Sequence, residues 1–338
     1  MSIASNYDPN AVGVKGSIFG LPFDEEESKV VILPVPWDAT VSYSAGTADG
    51  PQAILDASAQ LDLEVVGKKA PWKRGIWMAP IDQGLRAKSN HLRKDVESYI
   101  EKLEQGKEHQ DSNQIIDQVN ASTSELKNRI EALVQSYIKI GKTIGLLGGD
   151  HSCPLGYLEA LAQRHDDFGI LQIDAHMDLR EAYEGFEHSH ASIMYNALKI
   201  SSISKLIQVG IRDFSEAEVV FASTDERIEV FYDQDLKQQQ YMGIPWKTLC
   251  DQMISALPQK VYISFDIDGL NPHLCPGTGT PVPGGLEYNE AIYLINQIKD
   301  SGRQIIGFDL CEVAPQTNDK EWNANVGARV LYALCGVV

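Results

Sequence analysis

Seven short, almost uniformly apolar runs punctuate the chain and restrict its fold more than any other feature: Val30 to Leu33, Thr143 to Leu147, Ile170 to Ile173, Leu206 to Val209, Ile228 to Phe231, Val261 to Phe265 and Ile305 to Phe308. Four or five consecutive aliphatic and aromatic residues without polar alternation read as a strand buried on both faces, the setting a parallel sheet provides. Helical stretches separate the runs, and alternating strands and helices predict an α/β fold. The expected architecture is a single-domain, three-layer αβα arrangement with a mainly parallel sheet, taking in residues 1–338.

Between the first two runs lies a stretch of different character. From Leu92 to Lys142 the chain is charged and Gln-rich, and Leu126, Ile130, Leu133, Val134, Tyr137 and Ile138 recur at helical spacing. This predicts amphipathic helices with a break near Gln105 to Asn113. The stretch carries no Pro/Gly/Ser linker and no chemical motif, so it reads as a helical elaboration at about 92–142 within one domain.

Composition narrows the function. A formal net charge of −18 disfavours nucleic acid and anionic lipid, which need a basic surface, and suits a small cationic substrate. No run approaches the roughly 20 apolar residues of a membrane span. Met1 to Lys15 lacks the basic-then-apolar pattern of a secretory signal. Five cysteines (Cys153, Cys250, Cys275, Cys311, Cys335), odd in number and without C-x-x-C spacing, argue against a disulfide framework or cysteine zinc site. The expected compartment is the cytoplasm.

Three predicted strands end in acids and histidines, at the carboxyl ends where open parallel sheets bind ligands. Gly148-Gly149-Asp150-His151-Ser152 follows the second run, Asp174-Ala175-His176-Met177-Asp178 the third, and Asp266-Ile267-Asp268 the sixth. In an extended chain residues i, i+2 and i+4 face one way, so Asp174, His176 and Asp178 are expected to converge, as are Asp266 and Asp268. Carboxylates buried at the end of an apolar strand need neutralising, and few Lys or Arg lie nearby. With the His151 and His176 imidazoles they form a mixed oxygen and nitrogen donor set without thiolate, which suits Mn²⁺ better than structural zinc. Six side chains are too many for one ion that keeps an open position, whereas two Mn²⁺ per subunit use them well. Asp150 either orients neighbouring ligands or caps the following helix. Four of the eight histidines (His151, His176, His188, His190) fall between 151 and 190, while His91, His109 and His165 have no partner motif. Gly145 to Gly149 matches neither a dinucleotide nor a P-loop pattern.

GGDHS, DAHMD and SFDID resemble the three metal-binding signatures of the arginase and agmatinase (ureohydrolase) family. Pro276 to Pro281 (PGTGTP) with Gly284-Gly285, Gly307 to Pro315 (GFDLCEVAP) and Ser44 to Pro51 (SAGTADGP) are similar to further segments of its agmatinase-like members. The resemblance implies one ion on His151, Asp174, Asp178 and Asp266 and a second on His176, Asp174, Asp266 and Asp268. It also implies that Glu312 holds the guanidinium and that His190, with His188 as the alternative, protonates the departing amine. The activity implied is cleavage of the guanidino C–N bond, with agmatine as leading substrate, giving urea and putrescine. Formimidoylglutamase, arginase and guanidino-acid hydrolase activities, and a non-catalytic metal-binding relative, are the alternatives. Relatives of this kind assemble as trimers or hexamers, so a homo-oligomer is expected. A carboxylate-bearing tail would need Arg180 or Arg212, and an amine tail would favour Glu181, Glu184, Glu187 or Asp213. The sequence departs from the family pattern at Asn271, where a second Asp is usual, and at Ser44-Ala45, where Arg-Pro is often seen.

Overall fold

The computed structural model describes residues 7–41, 45–67, 69–107 and 112–338. Ser44 and His109 lie outside the described residues. Eight strands form one sheet: β1 Val30–Val35, β2 Ile76–Met78, β3 Thr143–Gly148, β4 Phe168–Ile173, β5 Ile203–Ile211, β6 Ile228–Tyr232, β7 Lys260–Asp266 and β8 Gln304–Cys311. Their order is β2-β1-β3-β8-β7-β4-β5-β6, and every pairing is parallel.

All seven apolar runs are strands. The eighth strand, β2, is three residues long, too short to carry a pattern of its own. β6 departs from the expectation of burial on both faces: as the edge strand, it is half-buried along its whole length.

The strands pack as period-2 geometry requires. Ile32, Leu147, Leu171, Ile173, Val261 and Ile263 enter one hydrophobic cluster, while Leu33, Leu146, Ile170 and Tyr262, their alternating neighbours, enter another on the opposite face. Burying each such Leu, Ile or Val completely is worth about 1.5–3 kcal/mol, which explains why polar alternation is missing from these runs. Helices α1 (Gly50–Ser58), α6 (Trp246–Ser255), α7 (Tyr288–Asp300) and α8 (Trp322–Val337) line the first cluster. The second takes α2 (Gln83–Glu104), α3 (Ser112–Lys139), α4 (Leu155–Ala162) and α5 (Ile193–Ala197). The charged stretch is therefore two helices covering one face of the sheet. Leu126, Ile130 and Val134 form its buried stripe at i, i+4 spacing, and Leu133, one position off that stripe, is exposed. Among the described residues no helix is long and apolar enough to cross a membrane.

The chain passes from β3 to β4 across the places of β8 and β7, so the four central strands bring their carboxyl ends together at the topological switch. The three acid- and histidine-bearing segments leave the sheet there.

Candidate metal centre

His151 hangs from the turn after β3. Gly149 makes that turn possible: a Cβ there would stand 1.9 Å from the carbonyl oxygen of Trp37. The backbone N–H groups of Gly149 and Asp150 donate to Val35 and Trp37 carbonyls, each at 2.8 Å. Asp150 is fully buried and does not line the cleft. Its carboxylate accepts from the Ser152 backbone N–H (3.0 Å) and the Thr40 hydroxyl (3.3 Å), so it holds the turn rather than facing the reacting space. Burial pushes its pKa up to about 6.

The acids converge by turning, and not by the continued extended chain expected from their spacing. Asp178 adopts φ +54°, a left-handed conformation uncommon for a side-chain-bearing residue. Its carbonyl is fixed there by the N–H groups of Met194 and Tyr195. Asp268 lies in a single 3-10 turn, Ile267–Gly269, capped by the Asp266 side chain. In three of the acids one oxygen is taken by backbone. Asp174 Oδ1 accepts from His176 N–H (2.7 Å), Asp266 Oδ1 from Asp268 N–H (2.9 Å), and Asp268 Oδ1 from Ala175 N–H (3.0 Å).

The Oδ2 atoms face the histidines. Asp174 and Asp178 Oδ2 lie 3.0 Å from His151 Nδ1, and Asp266 Oδ2 lies 3.3 Å away. On the other side His176 Nδ1 stands 3.1 Å from Asp268 Oδ2 and 3.5 Å from Asp174 Oδ1. Asp174 thus belongs to both donor groups, His151/Asp174/Asp178 and Asp174/His176/Asp268.

The back of His151 tests whether these groups suit a cation. Ser264 donates its hydroxyl proton to Asp309 Oδ2 (2.9 Å) and so accepts from His151 Nε2, also at 2.9 Å. With its proton on Nε2, the neutral ring turns the Nδ1 lone pair toward three carboxylate oxygens, and Nδ1 has no hydrogen-bond partner. Lone pairs packed at this spacing repel unless positive charge sits among them, so the residues fit divalent ions. The electrostatics agree. Burial, then the neighbouring Asp268 and Asp174, raise the Asp266 pKa well above the usual carboxylate range, and burial with Asp174 raises Asp178 to about 7. Against burial, the three acids draw the His151 pKa well above its ordinary value, so the ring is neutral, with its Nδ1 lone pair free, only when a cation among the acids takes the place of a proton on Nδ1.

A cleft of about 270 Å³ opens over this cluster. Glu312, which follows β8 at φ +67°, is buried at its edge. One carboxylate oxygen accepts from His151 N–H (2.8 Å), and the other is buried without a partner among the described residues. Burial, then Asp150, pushes its pKa well up. His190 lines the cleft with its ring against Tyr183 at 5.9 Å, and burial, then the charges of His176 and His151, push its pKa down to about 3. His188 does not line the cleft.

At the mouth, Asp213 and Arg180 line the opening. Arg180 stacks on Tyr183 (4.9 Å) with Glu218 3.7 Å away. Glu181, Glu184 and Glu187 do not line the cleft, and Arg212 is not a cation for a substrate tail. Its guanidinium is spent on the carbonyls of Gly210, Asp268, Leu270 and Val282. Asn271 forms a turn outside the cleft, accepting from His273 N–H.

Sequence reasoning assigned no role to Gln172, Gln208, Ser264 or Asp309. Gln172 donates to Asp174 Oδ2 (2.8 Å) and Gln208 to Gln172 Oε1 (2.6 Å), both fully buried. A lone amide or hydroxyl inside an otherwise apolar strand was the available signal.

Comparison with known proteins gives the family. Residues 28–336 match the arginase family model. An N(1)-aminopropylagmatine ureohydrolase of Thermus thermophilus is 32% identical over 92% of this chain and 91% of its own. An agmatinase of Neisseria gonorrhoeae is 28% identical over 97% and 94%. The solved agmatine ureohydrolase of Thermoplasma volcanium superposes with a TM-score of 0.71 at 21% identity, covering 98% and 95%, a likeness of fold. The fold and matches define a hydrolase acting on the C–N bonds of linear amidines. The chain belongs to the arginase family.

Proposed function

We propose that this protein hydrolyses an aminoalkylguanidine, with agmatine as the leading substrate, releasing urea and putrescine. The observation that carries the reading is the meeting of His151, His176 and four aspartates beneath a cleft into which Glu312 brings an unpartnered carboxylate oxygen. His151, Asp174, Asp178 and Asp266 would hold one Mn²⁺, and His176, Asp174, Asp266 and Asp268 the other. Two such ions, when bound, supply the positive charge that makes water a nucleophile at neutral pH.

The remaining steps belong to the chain. The free oxygen of Glu312 binds the guanidinium by charge-assisted hydrogen bonds and fixes its plane over the cluster. As water adds to the guanidinium carbon, His190, whose ring lines the cleft, takes the proton released. It returns that proton to the alkylamine nitrogen as the C–N bond breaks, and the proton left on the new hydroxyl passes to the departing amine, leaving neutral urea and an alkylammonium ion. Asp150 acts as a positioning residue through the turn that bears His151.

An amine tail is favoured over a carboxylate because Asp213 lines the mouth while Arg180 is partnered by Glu218 and Arg212 is occupied. The Thermus relative named for N(1)-aminopropylagmatine supports a second reading, in which a longer tail carries a further ammonium past Asp213. The test is a panel of agmatine, N(1)-aminopropylagmatine, arginine and formimidoylglutamate with Mn²⁺, Ni²⁺ and Zn²⁺ loading. Urea release is expected to be fastest from an aminoalkylguanidine with Mn²⁺; preferred turnover of formimidoylglutamate, with formamide released, would overturn the substrate assignment.

A further inference from the structure

We infer that helices α2 and α3 brace the segment 183–190 from outside, and that Asn120 and Tyr99 are positioning residues for the wall of the cleft. This rests on the reading of the cleft as a guanidino-substrate site. The segment has two sides. Inward, Tyr183 and His190 line the cleft, with Arg180 stacked on Tyr183. Outward, its tip turns through two left-handed residues, Glu184 (φ +56°) and Gly185 (φ +90°), and closes on itself by the reciprocal Tyr183 and Phe186 backbone bonds.

A tip of this kind has few contacts of its own, and the helices supply them. The Asn120 amide on α3 spans it, accepting from Glu187 N–H (3.0 Å) and donating to the Gly185 carbonyl (3.4 Å). The Tyr99 hydroxyl on α2 donates to the Glu184 carbonyl (3.0 Å), and its ring meets fully buried Phe186 edge-on at 5.8 Å. Ile116 fills the space beside Gly185 so closely that a Cβ there would lie 2.7 Å from its Cδ1. The backbone of Glu184, Gly185 and Glu187, opposite the Tyr183 and His190 rings, is thus held by two helices that contribute no residue to the lining of the cleft.

Because the tip is short and closed, releasing it on the outside lets the inner wall move. That wall flanks the path of the substrate tail beyond the guanidinium. The brace therefore sets how tightly the tail is held and which tail lengths are preferred, while the ion-binding cluster, anchored on strand ends, is unaffected.

The experiment compares Asn120→Ala and Tyr99→Phe with the Mn²⁺-loaded wild type, using agmatine and shorter and longer aminoalkylguanidines. Metal content and amide exchange over 183–190 are measured alongside. Asn120→Ala is expected to lower kcat/KM about fivefold to tenfold, mainly through KM, the scale of one or two lost neutral hydrogen bonds. It should also flatten the tail-length preference, leave bound metal at the wild-type level and speed exchange at the Glu187 amide. Tyr99→Phe, which keeps the ring packing, should shift each readout the same way by less, and it decides the matter if Asn120→Ala fails to fold. Kinetic constants within roughly twofold of wild type with unchanged exchange would overturn the brace, as would loss of metal in parallel with activity. If the wild type turns over no guanidino compound, the functional reading fails, and exchange over 183–190 alone decides the brace.

Discussion

The floor and the wall of this cleft are built by opposite means. The floor stands on the ends of β3, β4 and β7, where His151, Asp174 and Asp266 are almost fully buried and three of the four aspartates have one oxygen tied by a backbone N–H group. The wall is a surface segment whose inner side chains stay partly open and whose backbone is held by two helices from outside. Ion binding, which needs fixed distances, sits on the rigid element, while the adjustable one carries recognition of a variable tail together with His190. Damage to the floor should therefore abolish turnover, and loosening the wall from outside, with His190 itself intact, should only retune it.

The sharpest way to break that contrast is Asp174→Ala. Asp174 is shared by both donor groups, so its loss should remove paired metal occupancy and, with it, turnover. Metal content by elemental analysis together with urea release measures this, and a variant that keeps both ions and activity would end the distinction. Glu312→Gln comes next. It keeps the hydrogen bond to His151 N–H but replaces a charged acceptor by a neutral amide. Metal content should hold while kcat/KM falls about 10- to 150-fold, the equivalent of ~1.5–3 kcal/mol for a hydrogen bond to a charged group.

The same contrast explains what could be read from the sequence. Floor residues announce themselves because an acid or histidine at the end of an apolar run is chemically out of place, as with Asp174 after Ile173 and Asp266 after Phe265. Their convergence was legible, although the turns producing it were not: neither the left-handed Asp178 nor the 3-10 turn at Asp268 has a local signature in an Asp. The wall was less legible. His190 stood out through the clustering of histidines and through resemblance, but Asn120 and Tyr99 look like any polar and aromatic residues on an amphipathic helix, because their partners are backbone groups 67 and 85 positions away. The edge strand β2 escaped notice because three residues cannot establish a period.

Between floor and wall in expected effect are the buried residues behind the ligands. Ser264→Ala removes the acceptor that keeps the His151 proton on Nε2, and Gln172→Leu removes the donor to Asp174. Partners of this kind orient metal-binding side chains, and their loss typically costs about 10- to 100-fold in metal affinity, the drop expected of each variant. Titration with Mn²⁺ of the metal-free protein reads the effect. Affinity unchanged in both would mean that the strand ends alone fix the donors, and would make the floor still more independent of its surroundings.

The smallest effect lies at the root of the brace. Asp82 caps α2 by accepting from Leu85 N–H (2.9 Å), and its other oxygen pairs with Arg129 on α3, so one carboxylate ties the two helices together. The Leu85 N–H bond first, then Arg129, hold its pKa below the usual carboxylate value despite partial burial. The stabilisation from this lowered pKa is fully present above the unfolded-state value of about 3.9 and is lost as pH falls through the lower folded-state value. Asp82→Ala should cost about 1 kcal/mol at neutral pH, the usual scale for a lost N-cap, with the same difference near pH 5. That difference should shrink, to what the protonated carboxyl still contributes as a neutral cap, once the pH drops below both values, as urea unfolding across the series would measure. Asp82→Asn, which keeps a capping oxygen without the charge, should retain most of the stability and lose the acid dependence. Turnover by either variant should stay close to wild type, because Asp82 steadies the helices and not the tip they hold; a kinetic change as large as that of Asn120→Ala would mean that the whole helix pair, and not its contacts with 183–190, controls the wall.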